Sequence, residues 1–112
     1  MGAAHPRRPR RLRVGWTHWG VEWVDDADWP EEHDDASGLC MTRARDLRVR
    51  LQDGTHEDEL REALLHELLH ACVQTGGAEE PVTSEEAAVR AAAGPLLGAL
   101  RDNPRLVAWL TG

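Results

Sequence analysis

Residues 57–77 read EDELREALLHELLHACVQTGG, and this stretch decides the fold. Its leucines recur at intervals of three and four residues, which is the spacing of an amphipathic helix. Acidic residues in the first turn suit the positive end of the helix dipole. We therefore predict a helix from an N-cap at Thr55 to about Gln74, where Gly76 and Gly77 end it.

Three short segments before this helix alternate apolar with polar residues, which predicts half-buried strands. They are residues 12–16, a segment that contains Val21 and Trp23, and residues 47–51. The acidic stretch between the second and third segments, residues 25–38, contains a proline and a glycine and is predicted to be a loop.

The region after the first helix predicts two more helices. The second begins near Thr83, which matches a capping box with Glu86, and a Gly-Pro pair at 94–95 kinks or divides it. Asn103 is the predicted N-cap of a short last helix over residues 104–110. Because strands precede helices, the order predicts an α+β fold. Its small antiparallel sheet of about three strands packs on the first helix, and the kinked helix and the short C-terminal helix follow.

The composition predicts one small domain. The chain has 112 residues, of which 41% are hydrophobic and 29% charged, and its formal net charge is -7. Residues 1–11 predict a disordered basic arm, and residues 12–112 a single folded domain. The acidic balance makes nucleic-acid binding unlikely beyond that arm, and no apolar run is long enough to span a membrane. Because no signal segment is recognised, a cytoplasmic protein is the expectation.

Tryptophan and cysteine usage sets expectations for the core. The chain has five Trp and no Phe or Tyr, so leucine, valine and alanine must supply most of the core. Trp16, Trp19 and Trp23 are predicted to anchor it. Cys40 and Cys72 are too few for a disulfide framework and are predicted to be buried, reduced thiols.

His66, Glu67 and His70 form the motif H-E-x-x-H inside the first predicted helix. Residues four apart lie on one face of a helix, with Cβ atoms about 5–6 Å apart, so both imidazoles can bind one zinc ion. Glu67 flanks that ion and can accept a proton from a water molecule that the metal activates. The motif therefore predicts His66 and His70 as zinc ligands and Glu67 as the general base.

A zinc site of this kind takes a third protein ligand. No histidine follows His70, so a carboxylate is expected. Glu86 is favoured, because it shares a predicted apolar stripe with Val89 on a helix that must fold back on the first. Glu85 is the alternative if Glu86 caps the helix with Thr83. The other downstream carboxylates are Glu79, Glu80 and Asp102.

The chain resembles the small zincin-type (HExxH) metallopeptidases, of the gluzincin kind, that phages and actinobacteria encode. The resemblance runs over residues 13–110, and its specific part is residues 64–71, with strand segments before them and Glu85-Glu86 after them. It implies a small sheet over an active-site helix, two histidines and a glutamate on zinc, and hydrolysis of peptide bonds. The chain lacks the Tyr that often stabilises the oxyanion in that superfamily, so this role is unassigned.

The sequence thus predicts a zinc-dependent metallopeptidase that acts on a peptide or protein substrate. The alternative is a metal-stabilised binding module with weak turnover or none. The absence of Tyr and the competing use of Glu86 as a helix cap motivate this alternative. A third hypothesis is a nucleic-acid contact through the basic arm.

Overall fold

Four strands and three α-helices make up the part of the chain that the structure, a computed structural model, describes: residues 7–77 and 84–112. In chain order they are β1 (Arg11–Val14), β2 (Thr17–Asp25), β3 (Gly38–Met41), β4 (Asp46–Leu51), α1 (Glu57–Thr75), α2 (Glu85–Asp102) and α3 (Pro104–Leu110). Two short 3-10 turns, Asp26–Asp28 and Glu31–His33, lie between β2 and β3. The α+β fold predicted from the sequence is confirmed.

The strands form one mixed sheet in the order β1-β2-β4-β3. β1 pairs with β2 and β3 pairs with β4 in antiparallel fashion, whereas β2 and β4 run parallel, with Val21 opposite Leu47. The predicted count of about three strands is close, but the antiparallel prediction is wrong for β2 and β4. β4, the second strand of the β3–β4 hairpin, lies beside β2 and runs in the same direction. β3 runs in the opposite direction at the edge of the sheet.

β3 is the strand that the sequence does not predict. It has four residues, all half-buried, which is too short a run to show an alternating pattern. Its position comes from pairing with β4, where Cys40 lies opposite Leu47. β3 therefore forms one edge of the sheet, and β1 forms the other.

The turn between β1 and β2 places Trp16 in solvent. Gly15 has a φ of 62°, in the left-handed region that favours glycine, and reverses the chain directly after β1. Trp16 is 76% exposed, and the guanidinium of Arg45 lies 4.7 Å from its ring centroid. The prediction that Trp16 anchors the core is therefore wrong, because the turn ends the alternation. Trp19 is buried and Trp23 is half-buried.

The core lies between one face of the sheet and the three helices. Alternate residues of β1, β2 and β4 point into it, and α1 contributes a stripe that repeats every three or four residues. The buried apolar residues are Leu12, Val14, Trp19, Val21, Leu47, Val49, Leu60, Leu64, Leu68, Ala71, Cys72, Ala92, Ala99, Leu106 and Trp109. Each large member stabilises the fold by about 1.5–3 kcal/mol through burial.

α1 is capped by a neighbour of the predicted residue. Nδ1 of His56 accepts a hydrogen bond from the N–H of Asp58 at 3.3 Å, so His56 is the N-cap and the prediction of Thr55 is wrong. The C-terminal end agrees with the prediction, because the helix stops at Thr75 and Gly76 is the C-cap.

α2 is one continuous helix, so the Gly-Pro pair at 94–95 does not divide it. Its N-cap is Ser84, whose hydroxyl accepts a hydrogen bond from the N–H of Ala87 at 3.1 Å. Thr83, the predicted cap, lies outside the described residues. None of the helices in the described ranges is long and apolar enough to cross a membrane.

Asn103 joins the last two helices to the sheet. Its side-chain amide accepts from the N–H of Arg13 at 2.9 Å and donates to the carbonyl of Arg13 at 2.8 Å. It also donates to the carbonyl of Ala99 at 2.7 Å. Asn103 is the N-cap of α3 and Pro104 follows in the first turn, as predicted, but the side chain makes no capping hydrogen bond. The amide instead forms hydrogen bonds with the main-chain N–H and carbonyl groups at the outer edge of β1, as a neighbouring strand would.

Residues 7–11 pack on the body of the protein. The guanidinium of Arg8 donates two hydrogen bonds to the carboxylate of Glu57, at 2.9 and 3.0 Å. Nε1 of Trp23 donates to the carbonyl of Pro9 at 2.8 Å, and Pro9 is buried. These contacts join residues 8 and 9 of the predicted arm to α1 and β2, and the six residues before this segment lie outside the described part.

Two sets of contacts hold the acidic loop between β2 and β3 in place. Trp29 is buried, and its Nε1 donates to the carbonyl of His33 at 2.9 Å. Arg50 of β4 forms ion pairs with the carboxylates of Asp26 and Asp34, at 2.6 and 3.1 Å. These contacts fix the chain that leads into β3.

Candidate metal centre

His66, Glu67 and His70 come together on α1. Each offers one ligand atom, and these atoms lie within 4.8 Å of one another. The centroids of the two imidazole rings are 5.0 Å apart and their planes meet at 67°. Two imidazoles and a carboxylate at this separation could hold a metal ion. The structure thus brings together the three residues that the motif singles out.

Helix periodicity explains why these neighbours differ in burial. Glu67 follows Leu60 by seven residues and precedes Ala71 by four, so it lies on the buried stripe of α1. Glu67 is only 7% exposed, whereas His66 and His70 are exposed on the adjoining stripe. The carboxylate therefore lies at the base of the site and the imidazoles at its rim.

The site also depends on a close approach between α1 and β3. A Cβ at position 38 would lie 2.9 Å from both Cγ and Oε2 of Glu67, so the glycine of β3 leaves the space that this carboxylate occupies. Burial raises the pKa of Glu67, and the charges of His66 and His70 act in the opposite direction. A raised pKa makes this carboxylate a stronger base than an exposed glutamate.

A cavity of about 460 Å³ opens beside Glu67, between α1 and the chain that leads into β3. Its lining residues are Ala36, Ser37, Gly38, Glu59, Glu62, Ala63, His66 and Glu67. β3 is an edge strand, and its first residue, Gly38, lines the cavity.

Glu86, the favoured third ligand, is not part of the group formed by the three motif residues within the described ranges. Its carboxylate is exposed and accepts a hydrogen bond from Nε of Arg90, one helical turn later, at 2.9 Å. Glu79 and Glu80 lie outside the described residues. Asp102 lines a separate concavity beside the N-terminal arginines.

The buried stripe of α2 differs from the predicted one. Ala92 and Ala99 are buried, whereas Val89 is 55% exposed. Glu85 stands seven residues before Ala92 on the same helical stripe, but its side chain is exposed, as is that of Glu86, and neither belongs to the group of ligand atoms in the described ranges. The predicted stripe through Glu86 and Val89 is wrong because six alanines in this helix do not reveal from sequence which side is buried.

The two cysteines take no part in this centre. Cys72 belongs to the core, and burial raises the pKa of its thiol to about 11, so it stays protonated at neutral pH. Cys40 is half-buried in β3, which is less burial than the sequence predicts.

Three residues of the cavity are missed by the sequence analysis. Glu62 precedes His66 by four residues and Glu59 precedes it by seven, so helical spacing alone contained a signal for both. Gly38 carries no such signal, because its contact with Glu67 joins two elements that are distant in the chain.

Comparison with known proteins adds no relative. No family model matches the chain, and neither a curated protein nor a solved structure matches it. What can be concluded about function comes from the residues of the metal centre and their surroundings.

Proposed function

We propose that the chain is a zinc-dependent metallopeptidase that hydrolyses peptide bonds in a peptide or protein substrate. The observation that carries the proposal is the grouping of His66, Glu67 and His70, with ligand atoms within 4.8 Å, at the mouth of a cavity. The buried carboxylate of Glu67 supports the proposal. Burying an acid without a partner destabilises a fold, and such groups cluster at functional sites.

His66 and His70 would hold the metal, and Glu86, with Glu85 as the alternative, is the third ligand that the sequence predicts. Both carboxylates are exposed and lie outside the group of ligand atoms in the described ranges. Bound there, a zinc ion would lower the pKa of water and polarise the substrate carbonyl.

Glu67 then acts as the general base. Its carboxylate accepts a proton from the attacking water and passes that proton to the amine that leaves. Burial keeps this carboxylate away from bulk water, and Gly38 gives it space. An extended substrate would lie along the open edge of β3, where strand addition supplies main-chain hydrogen bonds.

The first experiment measures zinc content and peptide cleavage in the same samples. Wild-type protein is expected to retain one zinc ion per chain after dialysis and to cleave a peptide library. Glu67→Gln should retain the metal and lose cleavage by at least about 100-fold, because it removes only the base. His66→Ala and His70→Ala should lose the metal, and His33→Ala, an exposed histidine outside the site, should keep it.

The matched pair Glu85→Ala and Glu86→Ala identifies the third ligand. We expect weaker zinc binding in Glu86→Ala, the ligand that the sequence favours, and wild-type binding in Glu85→Ala. The reverse result would identify Glu85 as the ligand. Cleavage that survives Glu67→Gln would contradict the proposed mechanism.

A metal-stabilised binding module is the second candidate. The ion pair between Glu86 and Arg90 favours it, because this carboxylate is engaged away from the histidines. In that case a chelator lowers the melting temperature, while the peptide library stays intact with the zinc-loaded protein.

A further inference from the structure

The cavity beside Glu67 has one acidic wall. It extends from His66 toward the N-terminal end of α1, past Glu62 and Glu59. The opposite wall is formed by Ala36 and the next two residues, whose small side chains and main chain carry no charge. A substrate side chain that enters this space therefore meets carboxylates on one side and a neutral surface on the other.

The two wall carboxylates are not engaged by the protein. Glu59 and Glu62 are exposed, and neither side chain has an ion pair or hydrogen bond within residues 7–77 and 84–112. The nearby Arg61 of the same helix is bound instead to Asp58 at 2.7 Å. Glu67 of the motif is buried, is also without an ion-pair partner in the described part, and lines the same cavity.

From this arrangement we infer that the cavity is a specificity pocket for a cationic side chain, lysine or arginine, of the substrate. The inference rests on the proposed peptidase function and names the class of substrate. A guanidinium or ammonium group in the pocket gains favourable charge interactions with Glu62 and Glu59 that a neutral side chain lacks.

The spacing of the wall residues fixes where the cation stands in the substrate. Glu62 and Glu59 precede His66 by four and seven residues, which is about 6 and 10 Å along the helix axis. An extended peptide advances about 3.3 Å per residue. The cationic residue is therefore expected two or three positions from the cleaved bond, and on one side of it only.

The test uses the zinc-loaded full chain and peptides from a digest made with a Glu-specific protease, which keeps lysine and arginine inside the peptides. Mass spectrometry of the products should show lysine or arginine enriched two or three positions to one side of the cleaved bonds. A matched pair of synthetic peptides then carries arginine or citrulline, its neutral isostere, at that position. We expect about fivefold higher kcat/KM for the arginine peptide, the effect of one good exposed ion pair, and a smaller ratio at high salt.

Variants of the wall identify its contribution. In Glu59→Gln/Glu62→Gln the ratio of arginine to citrulline should fall to about one, and in Glu62→Arg it should drop below one. Glu32→Gln removes the same charge from the acidic loop, outside the cavity, and should leave the ratio at the wild-type value. Enrichment that persists in the double variant, or cleavage without any cationic enrichment, overturns the inference and leaves the proposed function intact.

A binding experiment tests the cationic pocket independently of hydrolysis. Fluorescence anisotropy of the same two labelled peptides with zinc-loaded Glu67→Gln should give a lower Kd for the arginine peptide, and this difference should vanish when the wall variants are added to Glu67→Gln. If wild type cleaves nothing while this preference holds, hydrolysis is refuted and the cationic pocket stands. Equal Kd values for the two peptides refute the pocket, whether or not cleavage occurs.

Discussion

At the scale of single residues, the space left by Gly38 determines where the Glu67 carboxylate stands. In Gly38→Ala the new methyl group would lie 2.9 Å from Cγ and Oε2 of Glu67 and 3.1 Å from the carbonyl oxygen of Arg48. We expect kcat for peptide cleavage to fall by about tenfold or more, since about 1 Å of misplacement at a reacting group can cost that much. Zinc affinity should stay near the wild-type value, because the histidines are not displaced.

Gly20→Ala is the matched control in the same sheet. Its methyl group would meet only the carboxylate end of Asp46, a side chain that can turn away. Activity in this variant should therefore remain close to that of wild type. Full activity in Gly38→Ala would show that Glu67 does not need the position it has.

The residues of the motif could be predicted because their arrangement is local. The four-residue separation of His66 and His70 fixes their positions on any helix, and the structure places Glu67 beside them. The cap of α1 could not be predicted to the residue, because Thr55 and His56 both offer an acceptor and only the path of the turn selects one.

At the scale of elements, the crossing of α1 and α2 depends on Gly76. A Cβ there would overlap the carbonyl oxygen of Ala91, which is main chain and cannot turn away. Pro95 leaves that carbonyl without its usual helical donor, so the two helices meet at a weak point of α2. Gly76→Ala should lower the free energy of unfolding by about 3 kcal/mol, at the upper end for overpacked sites, as measured by urea denaturation.

Gly94→Ala is the control for this prediction. Nothing lies within 4 Å of a Cβ at position 94, and the residue is inside α2. Alanine there should stabilise the protein by about 0.5–1 kcal/mol, the difference in helix propensity. If both variants have the same stability, the close contact between the helices does not exist in solution.

The helices could be predicted from the sequence where the apolar pattern was long or where a proline marked the beginning of the helix. α1 has five leucines between Leu60 and Leu69, and α3 begins at Pro104, so both could be found. β3 could not, because four residues contain too little pattern and its place depends on the pairing with β4. The inward stripe of α2 was also unpredictable, since alanine is tolerated on either side of a helix.

At the scale of the whole molecule, Glu57 connects the N-terminal segment with the C-terminal helix. Its carboxylate accepts hydrogen bonds from Arg8 and from Nε1 of Trp109, and the latter is 2.9 Å long. The hydrogen bond from Arg8 is the main reason that the pKa of Glu57 is lowered from 4.5 to about 2. The ring of Trp109 in turn contacts that of Trp23, with centroids 5.3 Å apart.

This network predicts a dependence of stability on pH. Because the pKa of Glu57 is lower in the folded state, its contribution is fully present above the unfolded value of 4.5 and is lost as the pH falls toward about 2. Arg8→Ala should be less stable than wild type at pH 7, and the difference should shrink over that pH range. Urea denaturation at several pH values measures it.

Arg10→Ala is the charge-matched control, since the Arg10 side chain is exposed and has no ion pair within the described ranges. Its stability difference from wild type should not change with pH. An Arg8→Ala difference that stays constant from pH 7 to pH 2 would contradict the network. Partners 49 and 52 residues apart, as Arg8 and Trp109 are from Glu57, leave no periodic trace in a sequence.

The contact between Gly76 and Ala91 also restricts how this protein can diverge. A descendant with any side chain at position 76 would have to spread its two helices, and α2 would carry Glu85 with it, because that residue stands only six positions before Ala91. Mutational drift at this single site is therefore coupled to the packing of the whole second helix. Lineages that keep this helix crossing are the ones in which selection holds the glycine in place.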